Sequence, residues 1–148
     1  MSSRLAVSHQ ATLEVRDACL CLHVQRAARA LARRFDDVFR PLGLTHGQFS
    51  LLVSLNRPSP PSMGQVSSLL AMDRTTLTAN LKPLERRGLL KVSVDDADKR
   101  GRRLSLTPAG RAQLRLALPI WRRAQAAIER LVPRGNPEGL RQALRALS

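Results

Sequence analysis

Residues 73–110, DRTTLTANLKPLERRGLLKVSVDDADKRGRRLSLTPAG, decide the fold. After Asp73, Leu77, Leu81 and Leu84 recur at helical spacing, while Arg74, Thr75, Thr76, Thr78, Asn80 and Lys82 occupy the remaining positions. Asp73 is an N-cap, because its carboxylate accepts from free N–H groups of the first turn and is favoured by the helix dipole. Gly88 ends the helix as a left-handed cap. The period then changes. Leu90, Val92 and Val94 alternate with Lys91 and Ser93, and Leu104 and Leu106 alternate with Arg103 and Ser105, so two short strands flank the polar loop from Asp95 to Gly101. A helix opening with hydroxyl side chains, followed by a hairpin with a basic tip, is the order of parts in a winged helix-turn-helix. The helix suits the major groove, and the tip suits phosphates or the minor groove.

Upstream, Ser62 and Gln65 form a capping box before a short helix from Met63 to Leu70, and Ala71-Met72 are the turn into the Asp73 helix. Arg57-Pro58-Ser59-Pro60-Pro61 is a linker, since its prolines lack donors and restrict the residues before them. A second capping box, Thr45 with Gln48, opens a helix carrying Phe49, Leu51, Leu52 and Leu55. Before it, one long amphipathic helix is expected from about Thr12 to Phe39, with Leu20, Val24, Ala27, Leu31, Phe35 and Val38 on its apolar line and Pro41-Leu42-Gly43 at its end. Downstream, Thr107 caps a helix with Pro108 at its first position and Leu114, Leu118, Trp121, Ile128 and Leu131 on its apolar face. Pro119 should kink it. A last helix, capped by Asn136, carries Leu140, Leu144 and Leu147.

The fold class is thus mainly α with a small β-hairpin wing, organised as a winged helix-turn-helix with N- and C-terminal dimerisation helices. Residues 1–44 and 108–148 form the helical dimerisation region and 45–107 the DNA-binding lobe, because the terminal helices carry more apolar face than a DNA module needs. A two-fold dimer would present two such helices about one DNA turn apart, matching a palindrome. The 148 residues carry 25 Lys and Arg against 11 Asp and Glu, a net charge of +14, and that balance points to double-stranded DNA as partner. The 43% hydrophobic content supports a packed interior, so the chain folds rather than coats a polyanion. No signal peptide or long apolar run is evident, and a soluble cytoplasmic protein without a membrane partner is expected.

The stretches LTHGQFSLLVSL, MGQVSSLLAMDRTTLTANLKPLERRGLL and DADKRGRRLSLTPAG resemble the MarR family of bacterial transcription regulators, over roughly Leu20 to Leu131. The resemblance implies a homodimeric repressor released from its operator by a small aromatic or amphipathic effector or by an oxidant. It also implies that Arg100 inserts at the wing tip and that Asp98 holds that arginine by a charge-assisted bond. Arg102 and Arg103 are phosphate contacts in this reading, or else solvated charges. Base contact is expected of Arg74, Thr75, Thr76 and Thr78, with Asn80 suited to adenine and Lys82 to phosphate. Ala79 stands where the family often has a basic residue, and Pro83 interrupts the helix.

Cys19 and Cys21 raise a second question. Cys21 falls where the peroxide-sensing branch of the family (OhrR) keeps its reactive thiol, but the tyrosines of that branch are replaced by Gln25 and Phe35. A buried small hydrophobe is the competing role for Cys21. A Cys19–Cys21 disulfide is disfavoured inside a helix, where the two point about 200° apart. No zinc spacing, Gly-rich phosphate loop or H-E-x-x-H occurs, so neither metal, cofactor nor enzymatic activity is expected. Trp121 reads as a core or dimer anchor before a ligand platform, and His46 as a surface residue near a helix start before a contact to an anionic ligand or phosphate. A nonspecific architectural DNA binder is the rival function, since the charge alone favours any duplex.

Overall fold

The computed structural model describes residues 6–148. The first five residues of the segment 1–44, and of the N-terminus expected to lack a targeting signal, lie outside them. The chain order is α1 (His9–Ala18), α2 (Leu20–Phe39), a 3-10 turn (Arg40–Leu42), α3 (His46–Leu55), α4 (Met63–Leu70), α5 (Arg74–Arg86), β1 (Leu90–Val94), β2 (Arg102–Leu106), α6 (Pro108–Glu129), a second 3-10 turn (Pro133–Gly135) and α7 (Pro137–Ala146).

Side-chain caps set most helix starts. Thr45 and Ser62 each accept from the amide three residues on and receive the return bond of Gln48 or Gln65, closing both expected capping boxes. Asp73, Thr107 and Asn136 accept from Thr76, Gly110 and Gly139. Gly43 and Gly88 take the left-handed backbone their turns require, at φ +64° and +71°.

The expected single first helix is two helices. Cys19 adopts φ −70°, ψ 107° between α1 and α2, although Asp17-Ala18-Cys19-Leu20 contains no Pro or Gly. The break is held by hydrogen bonds. Cys19 N–H donates to Val15 at 3.0 Å, and His23 directs ring Nδ1 and its backbone N–H to the Cys19 carbonyl at 2.8 and 3.2 Å. The prolines inside helices break nothing, since α5 runs on through Pro83 and α6 through Pro119. A proline removes one helical bond, and buried Leu81 and Leu84 beside Pro83 keep that segment packed.

The core is one cluster in which α3 is central, touching α2, α4, α5, α6 and β2. Phe39 stacks on Phe49 at 4.6 Å between ring centroids and on Phe35 at 5.9 Å. Val66, Leu77 and Leu84 close the lobe, and Leu114 and Ala117 of α6 join the same cluster. The strands pair antiparallel with Leu90 opposite Leu106 and Val92 opposite Leu104. Pro61 accepts from Leu104 N–H at 2.9 Å, and Ser62 bridges to Arg103, so the linker runs along the outer side of β2. α1 and α7 bury nothing, and Val15, Leu20, Val24, Leu31, Leu131, Leu140, Leu144 and Leu147 stand exposed. Among the described residues, no helix is long and apolar enough to cross a membrane.

Two substitutions test this packing. Leu52→Ala is expected to lower unfolding stability by about 2–5 kcal/mol, the cost of a cavity at a fully buried site. Gly110→Ala is expected to cost at least about 1–3 kcal/mol, because its β-carbon would overlap the Leu89 carbonyl where α6 meets β1. Denaturant titration measures both.

Candidate nucleic-acid interface

The α4–α5 turn fixes how α5 is presented. Ala71 sits in the left-handed region at φ 50°, and the Ser67 hydroxyl donates to the Met72 carbonyl. From this turn α5 buries Leu77, Leu81 and Leu84 and leaves Arg74, Thr75, Thr76, Thr78, Ala79, Asn80 and Lys82 exposed. The expected contact residues therefore share a solvent face, but they are not chemically equivalent. The Thr76 hydroxyl donates to Asp73 at 2.8 Å, and the Thr78 hydroxyl donates to the Arg74 carbonyl at 2.8 Å. Both can still accept. Asn80 directs its amide to the Met72 sulfur at 3.5 Å. Among the described residues, the side chains of Arg74, Thr75 and Lys82 make no hydrogen bond or ion pair. Asp73 lies below the ordinary carboxylate range, first because of the Thr76 backbone N–H and then its hydroxyl.

The wing differs from the expected pairing. The Asp98 carboxylate accepts from the backbone N–H of Arg100 at 3.0 Å and does not hold its guanidinium. The reason is local: an aspartate two residues before an amide closes an Asx turn, and Gly101 N–H adds a bond to the Asp98 carbonyl at 2.8 Å. Asp98 thus shapes the tip and leaves the Lys99 and Arg100 side chains exposed and, among the described residues, unpaired. The carboxylate–arginine pair of the wing is instead Asp95 with Arg103, at 2.9 Å.

Sequence reading missed that pair, because the β1–β2 register sets it. The visible signal was a carboxylate and an arginine at the two mouths of one hairpin loop. Arg103 also donates to the Pro60 carbonyl at 3.3 Å, which ties the wing to the linker. Arg102 donates to the carbonyls of Gly101 and Lys99 at 3.1 and 3.4 Å. Both arginines, expected at phosphates, have donors committed to the wing itself. Asp95 is held below the usual carboxylate range, chiefly by the Ala97 N–H and then by Arg103.

Other singled-out residues have defined places. His46 directs its backbone N–H and ring Nδ1 to one oxygen of Asp36, at 2.7 and 3.0 Å. That arrangement lowers the Asp36 carboxyl, chiefly through the backbone bond. Cys19 is half-buried and Cys21 exposed, so Cys21 is not a buried hydrophobe of the described chain. Gln25 donates to the Cys21 sulfur at 3.3 Å and accepts from Arg29 at 3.2 Å, a relay along one face of α2. The helical objection to a Cys19–Cys21 disulfide lapses at Cys19, which lies outside both helices. Trp121 packs half-buried against the core and, with Phe49, Val53, Leu69, Leu70 and Leu118, lines a cleft of about 480 Å³ with Asn56 and Arg57 among its polar residues.

Comparison with known proteins gives consistent matches. The family model described as MarR family matches residues 44–101. The transcriptional regulator TtmR of Methylorubrum extorquens is 34% identical over 95 residues, which are 64% of this chain and 49% of TtmR. The chain spans about half the length of the curated relatives it matches. The M. tuberculosis transcriptional regulator MosR, solved in complex with DNA, is 37% identical with a TM-score of 0.73, covering 87% of this chain and 98% of that one. BpsR of Bordetella bronchiseptica, whose DNA binding is regulated by 6-hydroxynicotinic acid, is 25% identical with a TM-score of 0.78, covering 88% and 93%.

The low Asp95 carboxyl has a defined consequence. Its bonds favour the ionised form, so their contribution is complete above the unfolded-state pKa of about 3.9 and is lost as pH falls through the lower folded value. In an NMR titration Arg103→Ala should move the Asp95 carboxyl only part of the way back, since the bond from the Ala97 N–H, the largest single cause, remains. A full return would show that the ion pair dominates.

Proposed function

The chain belongs to the MarR family, and on that premise we propose that it is a homodimeric transcriptional repressor that binds a palindromic operator and is released by a small ligand. The observation that carries the DNA reading is the placement of cations that are unpaired among the described residues. Arg74 stands exposed at the start of α5 and Lys99 and Arg100 at the wing tip, while neighbouring Arg102 and Arg103 are occupied by the wing. Arg74 and Thr75 are the strongest base-reading candidates, with Thr76, Thr78 and Asn80 in supporting contact. Arg100 enters the minor groove, its backbone set by Asp98, and Lys82 meets phosphate. Arg102 and Arg103 act by keeping the wing in shape.

The homodimer reading is supported by the exposed apolar side chains of α1, α2 and α7, and divides the chain into a helical scaffold, 1–44 and 108–148, and a DNA-binding lobe, 45–107. For the effector we favour the cleft under Trp121, whose aromatic and aliphatic walls and single arginine suit a small aromatic or amphipathic molecule. No catalytic role is proposed, and the place of action is the cytoplasm.

Two expected results check this reading. Arg100→Ala should weaken binding to every duplex and reduce the salt slope by about one unit, whereas Thr75→Ala should alter base preference and leave that slope intact. Equal effects on chosen and random duplexes would remove the division of roles. In footprinting, the wild type should protect a discrete palindrome with a preference on the order of a thousandfold over random DNA. Uniform protection would favour the architectural reading.

A second reading, release by oxidation of Cys21, is favoured by one contact: Gln25 supplies a hydrogen-bond donor at the sulfur where tyrosine is absent. If it holds, peroxide should abolish operator binding in the wild type and spare Cys21→Ser. Unchanged wild-type affinity after peroxide would retire it.

A further inference from the structure

The C-terminal end of α5 is fastened to the corner that closes α2. We propose that this joint, with Arg87 as its positioning residue, sets the angle of α5 on the helical scaffold and so the half-site spacing that the dimer accepts. The inference rests on the regulator reading above. The corner is rigid by construction. Gly43 N–H returns to Arg40 at 2.9 Å and Leu44 N–H to Phe39 at 3.3 Å, and the Phe39 and Leu44 side chains are buried in the core. Its outward carbonyls are taken by two other elements. Arg87, the residue that caps α5, donates from Nη1 to the Gly43 carbonyl at 2.7 Å, with Nη2 3.5 Å from the Leu42 carbonyl. Gln113 of α6 donates to that same Leu42 carbonyl at 2.6 Å.

Three elements therefore meet at Leu42 and Gly43: α2 and α6, which belong to the scaffold, and the far end of the helix presented to DNA. At its near end α5 is held by the Ser67–Met72 turn and the Asp73 cap. A rigid element fixed at both ends cannot pivot. Released at Arg87, α5 keeps its near-end anchor, its apolar stripe and the bonds from Thr107 to the Gly88 and Leu89 carbonyls, which tie its far end to the wing and not to the α2 corner. The separation of two symmetry-related helices is then no longer set by the scaffold. The planar guanidinium suits this task, since it offers parallel donors to adjacent carbonyls where lysine offers a point charge. Arg87 is exposed, so a phosphate contact is the role to be told apart from positioning.

The test compares full-length wild type, Arg87→Ala and Arg87→Lys on a palindrome selected by the wild type from random duplexes, and on the same half-sites moved about one or two base pairs closer or farther apart. Arg87→Ala should keep its helical circular dichroism and dimer mass. It should lose on the order of tenfold in affinity at the selected spacing and about twofold or less at the others, with an unchanged salt slope, so that discrimination between spacings flattens. Arg87→Lys should fall between. Equal losses at every spacing with a shallower salt slope would make Arg87 a phosphate contact and overturn the proposal, as would intact spacing discrimination.

Hydrogen exchange on the free protein supplies an arm independent of DNA. Arg87→Ala should speed exchange at Leu44, Gly88 and Leu89 and leave Thr76 and Leu77 at wild-type rates, whereas wild-type rates throughout would overturn the joint. A wild type that selects no palindrome sinks the regulator reading together with the spacing role, and the exchange result still decides on the joint.

Discussion

The interaction on which the rest depends is the burial of α3 on opposite sides. An ordinary surface helix hides one stripe and shows the other. Here Phe49, Leu51, Leu52 and Leu55 are all buried, because α2, α4, α5, α6 and β2 all pack against this one helix. The scaffold and the winged lobe consequently have no separate cores. Phe39 of α2, Leu77 of α5 and Leu114 of α6 belong to one apolar cluster, and a displacement of any of them is felt by the others as a packing defect.

Much of this was readable in the residues, and the readable part has a common physical basis. Caps, left-handed turns and alternating strands are interactions within a few residues, so Thr45, Ser62, Asp73, Gly88, Thr107 and Asn136 announced their elements without knowledge of the fold. What escaped depends on three dimensions. The α1–α2 break at Cys19 has no Pro or Gly to mark it and is held by a histidine four residues on. α5 and α6 continue past Pro83 and Pro119, since a single lost bond does not outweigh the packing on either side.

The candidate interface was legible as a surface and less so as chemistry. Every residue chosen on α5 lies on the exposed face, which the leucine period dictates. Which of them is free to bind is set by hydrogen bonds that no spacing rule shows: the Thr76 and Thr78 hydroxyls turn inward as donors, and two of the wing arginines serve the wing. The +14 charge is a poor guide to contact for the same reason. Its cations divide into those that hold the structure, Arg87 and Arg103 among them, and those that the structure holds out.

The linker along β2 illustrates how composition guards a surface. A peptide edge in a small sheet normally exposes donors and acceptors that another strand can match. Along the outer side of β2 that position is filled by Pro60 and Pro61, which accept from Arg103 and Leu104 and have no N–H to offer outward. The sheet is thereby closed to extension by a second chain on this side, and the apolar surface that stays open is on the helices, where the exposed leucines stand.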